Sequence, residues 1–242
     1  MGIELPGEVA WFLNLIGVPW PNVDEDQVRV FAQHVRTFAE SIDGTHQAAS
    51  STIRQMSAAY QGSSYEQLVA SWARMSNDHM RELVDACHTV ATAVDVAADA
   101  IVAAKLAALG ELGALAASFV ADQAAAVVTL GAAEAAEALI VEGAKKLINA
   151  LVNQLEQHIL GEVISKAVAP LEQVVQRAVG GLVFEGAASA LGSSAGGAVG
   201  SGFGVLPGDL LGHAQRLQGH ADEVAGHART FGAAIAGVSF SG

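Results

Sequence analysis

Between Val28 and Tyr60 the apolar positions Val28, Phe31, Val35, Phe38, Ile42, Ala49, Ile53, Met56 and Tyr60 recur mostly at intervals of three and four. That period predicts an amphipathic helix with a narrow apolar seam. About 33 residues at roughly 1.5 Å each give a rod near 50 Å long, the proportion of a coiled coil. Asp24, Glu25 and Asp26 stand at its first turn, where carboxylates cap free N–H groups and complement the helix dipole. Gly62 follows as a left-handed stop. Ser63 or Ser64, with Glu66 or Gln67 three residues on, predicts a capping box for the next helix. The second seam, Tyr65, Leu68, Trp72, Met75, His79, Leu83, Cys87, Val90 and Val94, keeps the same period. The two helices are therefore expected to fold back as an elongated antiparallel hairpin.

From Ala97 to Val183 the chain is dominated by Ala, Leu and Val. Small residues permit tight helix packing, so two or three closely packed helices are expected, bending or approaching at Gly110, Gly113, Gly131 and Gly143 and ending near Pro170 or Gly180-Gly181. The Gly/Ser/Ala tract that follows reads as a flexible linker, with a glycine-zipper membrane element as the other reading. After it, Leu210, Leu217, Val224 and Phe231 repeat every seven residues, with His213, His220 and His227 alongside on a polar edge. The expected organisation is all-α: residues 1–96 hold an opening helix and the hairpin, and 97–185 an Ala-rich helical region. Residues 186–206 form the linker and 207–242 a heptad helix, read as the start of a second hairpin in something longer.

Composition narrows function by exclusion. Twelve Lys and Arg against 25 Asp and Glu leave a net charge of −13, which repels phosphate backbones, so no nucleic-acid partner is expected. Five prolines and 5% aromatic residues fit a β-sandwich poorly. The apolar stretch from Val9 to Val18 follows Glu4 and Glu8, has no Lys or Arg before Arg29, and closes on Pro19-Trp20-Pro21. A cleavable Sec signal needs the opposite flank.

No catalytic constellation emerges. Cys87 lies on the apolar seam, and its neighbour His88 diverges from it around the helix, so a small core side chain is the expected role rather than a nucleophile. Successive rings of the histidine repeat stand about 10 Å apart along a helix, too far to share one ion. The histidines remain candidates for a pH-responsive stripe. Asp24, Glu25 and Asp26 lack the glycine and bidentate glutamate of a calcium loop. Neither a P-loop nor a dinucleotide fingerprint occurs in a strand-to-helix setting. No cofactor, no metal and no enzymatic activity are expected. Trp11, Trp20, Tyr60 and Trp72 are expected to anchor the opening segment and the turn.

Tyr60-Gln61-Gly62 between two long amphipathic helices resembles the WXG family of type VII secretion substrates, with Tyr in place of Trp. The opening is more specific. Leu5-Pro6, Trp11, Gly17, Trp20-Pro21 and Asp24-Glu25-Asp26, then Trp72 and the Ala/Val-rich stretch into Ala144-Lys145-Lys146, resemble the WXG-like N-terminal domain of actinobacterial polymorphic toxins, the CpnT-like type. The likeness covers most of residues 1–185. It implies a non-catalytic leader and interaction module that directs a toxin to type VII secretion, with small WXG-type helical proteins and the secretion machinery as partners. Localisation would be secreted or envelope-associated. A membrane-active or channel-forming helical module is the alternative. The Tyr-x-x-x-Asp/Glu export signal is missing, because Ser64 and Val69 stand four residues after Tyr60 and Tyr65. That places the signal in a partner chain or in sequence after Gly242, and the toxin's own chemistry outside these residues.

Overall fold

A computed structural model describes residues 2–21, 23–75, 79–126, 133–158, 173 and 204–240. The linker expected at 186–206, except its last three residues, and the expected helix end near Pro170 or Gly180-Gly181 lie outside the described residues. The fold is all-α. Helix α1 (Gly7–Ile16) is followed by α2 (Glu25–Gln55), a 3-10 turn (Met56–Ala58) and a two-residue strand β1 (Tyr60–Gln61). Then come α3 (Ser63–Met75), α4 (Arg81–Ala126), α5 (Ala133–His158), a second short strand β2 (Gly204–Val205) and α6 (Pro207–Ala236).

Local chemistry explains the ends. Gly17 takes a left-handed φ of 68° and its N–H reaches back to the Asn14 and Leu13 carbonyls, while Val18 N–H bonds the Leu13 carbonyl at 3.0 Å. This closes α1 without side-chain help. Asp24 Oδ1 accepts from the N–H groups of Asp26 (3.0 Å) and Gln27 (3.2 Å), capping α2. At α3 the sequence expectation is corrected. Gly62, rather than Ser63 or Ser64, precedes the first helical residue, and its carbonyl accepts from Tyr65 and Glu66.

The chain clusters into two compact units. The first comprises Met1–Val30, Ala93–Lys166 and Val238–Gly242. Its core joins Val9, Phe12 and Leu13 of α1 to Leu112, Ala116 and Phe119 of α4 and to Ala144 and Ile148 of α5. Phe12 is fully buried, its ring 5.3 Å from Phe119. The second unit comprises Phe31–Thr92 and Ala167–Gly237. There α2 packs on α3 along one side and on α6 along another.

Two expectations concern the Ala-rich region. A boundary after residue 96 falls inside α4, whose buried ridge Cys87, Val90, Val94, Ala97, Ile101, Ala104 and Ala108 passes 96 without a break. The division between the two compact units falls within the same helix, between Thr92 and Ala93. Gly110 and Gly113 sit in the same continuous helix, where an added Cβ meets nothing within 4 Å. They therefore mark no close approach. Gly143 would touch only the Leu115 side chain at an ordinary 3.8 Å, and Gly131 lies outside the described residues.

Candidate helix-pairing site

The turn between α2 and α3 is built from Tyr60, Gln61 and Gly62. Gly62 has φ 130°, a conformation nearly closed to residues with a Cβ. Tyr60 pairs with Val205 and Gln61 with Gly204 in an antiparallel ladder, and Leu206 N–H donates to the Ala59 carbonyl at 2.8 Å. The chain entering α6 is thus zipped onto the turn. Tyr65 sets its ring edge against Tyr60 at 6.2 Å and its hydroxyl donates to the Ile53 carbonyl at 3.2 Å.

Trp72 lies farther along α3, away from the turn. Its indole N–H donates to Ser50 Oγ at 2.9 Å and its ring stacks on His46 at 5.4 Å. Burial holds the His46 imidazole below its ordinary range, and the nearby Asp43 carboxylate only partly offsets this. Tyr60, Gly62 and Trp72 are therefore brought onto one α2–α3 contact. Trp11 and Trp20 belong to the first unit. Trp11 is half exposed, with only an edge against Phe119 at 6.3 Å, and its neighbour Phe12 takes the interior place. Trp20 packs against the core, its indole N–H buried and unpaired among the described residues.

The histidine repeat sits within a seam rather than on its edge. Thr45 Oγ1 lies 3.0 Å from His227 Nε2 and Thr52 Oγ1 lies 3.3 Å from His220 Nε2, while His213 is buried. Phe38, expected in the hairpin seam, stacks on Phe231 of α6 at 4.7 Å. The alanines Ala32 and Ala39 take the tightest places along α2. So α6, which the heptad alone left without a partner, pairs with α2.

Sequence reasoning missed one further feature. Lys105 and Glu25 form an ion pair at 2.7 Å with side chains 2% and 3% exposed. The ammonium also donates to the Val23 carbonyl, and Glu25 Oε1 accepts from Ile3 N–H at 2.5 Å. Burial opposes the carboxylate's charge. The Lys105 hydrogen bond and the backbone N–H groups of Glu25 and Ile3 nevertheless hold it below its ordinary range. Glu25, expected to serve the α2 cap with Asp24 and Asp26, turns inward and ties the N-terminal segment to α4.

Among the described residues no cluster of His, Cys, Asp and Glu could hold a metal ion. Cys87 is buried and free, its thiol pushed up to about 11 by desolvation, so at neutral pH it is a protonated and poor nucleophile.

Fold and site together define an all-α helix-pairing protein built on a hairpin with a glycine turn. A family model described as a WXG100 like domain matches residues 4–147, more than half of the 242 residues, and the chain belongs to that family. Membership makes it a helical protein related to type VII secretion. No curated protein and no solved structure matches the chain.

Proposed function

We propose that this chain is a non-catalytic leader and interaction module that directs a polymorphic toxin to type VII secretion by helix–helix packing. The observation that carries the reading is the Tyr60-Gln61-Gly62 turn joining two amphipathic helices inside the matched residues. In this reading small WXG-type helical proteins and the secretion machinery are the partners, and the product is secreted or envelope-associated. Co-expression with small WXG-type proteins, followed by purification and mass measurement, tests it. A defined complex that weakens when Tyr60 and Gly62 are both replaced by Ala is expected. A chain that runs alone with every such protein contradicts the reading.

One observation favours a second reading. Residues Arg81–Ala124 of α4 are long and apolar enough to cross a membrane, which suits a membrane-active or channel-forming module. Crossing would cost the Lys105–Glu25 pair or carry both charges into lipid. Dye release from liposomes at neutral and acidic pH separates the readings, since the interaction module leaves vesicles intact and a channel empties them.

A further inference from the structure

Helix α6 runs for 30 residues and buries one of them, the polar His213. Its heptad positions Leu210, Leu217, Val224 and Phe231 are only half-buried, and Leu211 is exposed. Against this, α2 buries Val35, Ala39, Ile42, Ala49 and Ile53. What holds α6 on α2 is the Phe231–Phe38 stack at 4.7 Å, the His227–Thr45 and His220–Thr52 contacts, and a hydrogen bond from Arg216 to Gln55 at 3.3 Å. Three of these four ties are polar, and water can replace them at little cost.

The helix is also weak in itself. Glycine stands at Gly208, Gly212, Gly219, Gly226 and Gly232, whereas α2, of similar length, holds only Gly44. Neither packing nor backbone geometry calls for the five: an added Cβ meets nothing within 4 Å at any of them, and none has a positive φ. Each interior glycine weakens a helix about four- to fivefold relative to Ala. So shallow and glycine-rich a helix owes its form to α2, and away from α2 it melts. The chain stays attached when it does. Before α6, Tyr60 and Gln61 pair with Val205 and Gly204, and Leu206 N–H reaches the Ala59 carbonyl. After it, the Phe240 carbonyl accepts from Asp24 N–H at 2.9 Å.

We infer that α6 is a releasable cover and that the α2 face beneath it is the docking surface for a partner's helix. The partner, a small WXG-type helical protein, rests on the proposed function; the release does not. On another side of α2, α3 contains no glycine and keeps its place. The bared face carries Phe38, Thr45 and Thr52 at intervals of seven. Thr52 gives its hydroxyl hydrogen to the Ala48 carbonyl at 3.1 Å, so it offers an incoming helix an acceptor only. The face therefore fits an amphipathic helix with a large apolar side chain opposite Phe38 and a hydrogen-bond donor two layers on, opposite Thr52. Its affinity is scaled by the fraction of chains in which α6 has left.

Hydrogen exchange of the full chain at one neutral pH, without a partner, tests the release. The middle of α6 is expected to be at least about tenfold less protected than α2. Gly219→Ala with Gly226→Ala should raise its protection about twentyfold, and Phe231→Ala should lower it about tenfold. Unchanged protection of the α1–α4–α5 core shows that each variant remains folded. Affinity for a small WXG-type protein should move the opposite way, about twentyfold weaker for the glycine pair and stronger for Phe231→Ala. An α6 as well protected as α2, or a glycine pair that leaves its protection unchanged, overturns the inference. So does a partner that binds both variants alike, or one that binds Phe231→Ala more weakly, since the docking surface would then lie on α6. If no such protein binds while protection shifts as stated, the releasable cover is upheld and the proposed function falls.

Discussion

Around Phe12 and Phe119 the first unit is packed with large apolar groups and one buried ion pair, Lys105–Glu25, whose atoms are tied further to Val23 and Ile3. Along α6 the second unit interleaves half-buried apolar layers with His–Thr layers. Both use polar groups inside helix contacts, but with different consequences. A buried ion pair is expensive to break, because the surviving charge is left without water or a partner. A neutral imidazole–hydroxyl pair costs little to exchange for water and chiefly specifies register. The first arrangement suits a permanent anchor and the second a contact that is made and released.

Breaking the anchor should give the largest effect. Lys105→Met leaves Glu25 buried and unpaired and is expected to destabilise the chain by about 3–5 kcal/mol in denaturant unfolding. A change below about 1 kcal/mol would mean that the site is wet rather than dry. Thr52→Val tests the other side of the comparison. It removes the acceptor for His220 Nε2 while keeping volume, and a loss of about 1–3 kcal/mol is expected, confined in hydrogen exchange to α2 and α6.

Acid should separate the two regions further. The folded chain holds His46 below its ordinary value of 6.5 by burial, so the unfolded chain takes up that proton first. The stability that neutral His46 contributes is complete above 6.5 and is lost as pH falls through the lower folded value. Glu25 is also held low, so its contribution is present above its ordinary 4.5 and is lost only at still more acid pH. A pH series of melting with segment-resolved exchange should therefore show the α2–α3 contact weakening before the α1–α4–α5 core, and His46→Gln should remove the early step. The smallest effect is expected at Arg29. Its ion pair with Asp99 at 2.8 Å joins side chains 41% and 74% exposed, so Arg29→Ala should cost no more than about 1 kcal/mol, less in salt.

Features fixed by neighbours in the chain were legible in the sequence. The three-and-four spacing located α2, the Asp24 cap marked its start, and Gly62 marked the turn, because helix ends are decided by residues within a few positions. What depended on distant partners was not. Nothing near Lys105 in the sequence points to its carboxylate, which lies 80 residues away. The opening helix is apolar nearly all round, so the sequence could not choose between Trp11 and Phe12 as the buried ring. The histidine repeat was visible, yet its role was not. The missing signal was on α2, where Thr45 and Thr52 stand the same seven residues apart.

The central claim is that the hairpin and its turn serve export. The most direct measurement is the secreted fraction of the full-length protein in a host with a working type VII system, for the natural chain, for Tyr60→Ala with Gly62→Ala, and for Arg29→Ala as a control outside the turn motif. Alanine at a φ of 130° costs about 1–3 kcal/mol of backbone strain, so the cellular level of each variant is measured alongside. The account predicts that the turn variant accumulates inside the cell at a level that the control exports normally. Undiminished secretion of the turn variant would contradict it.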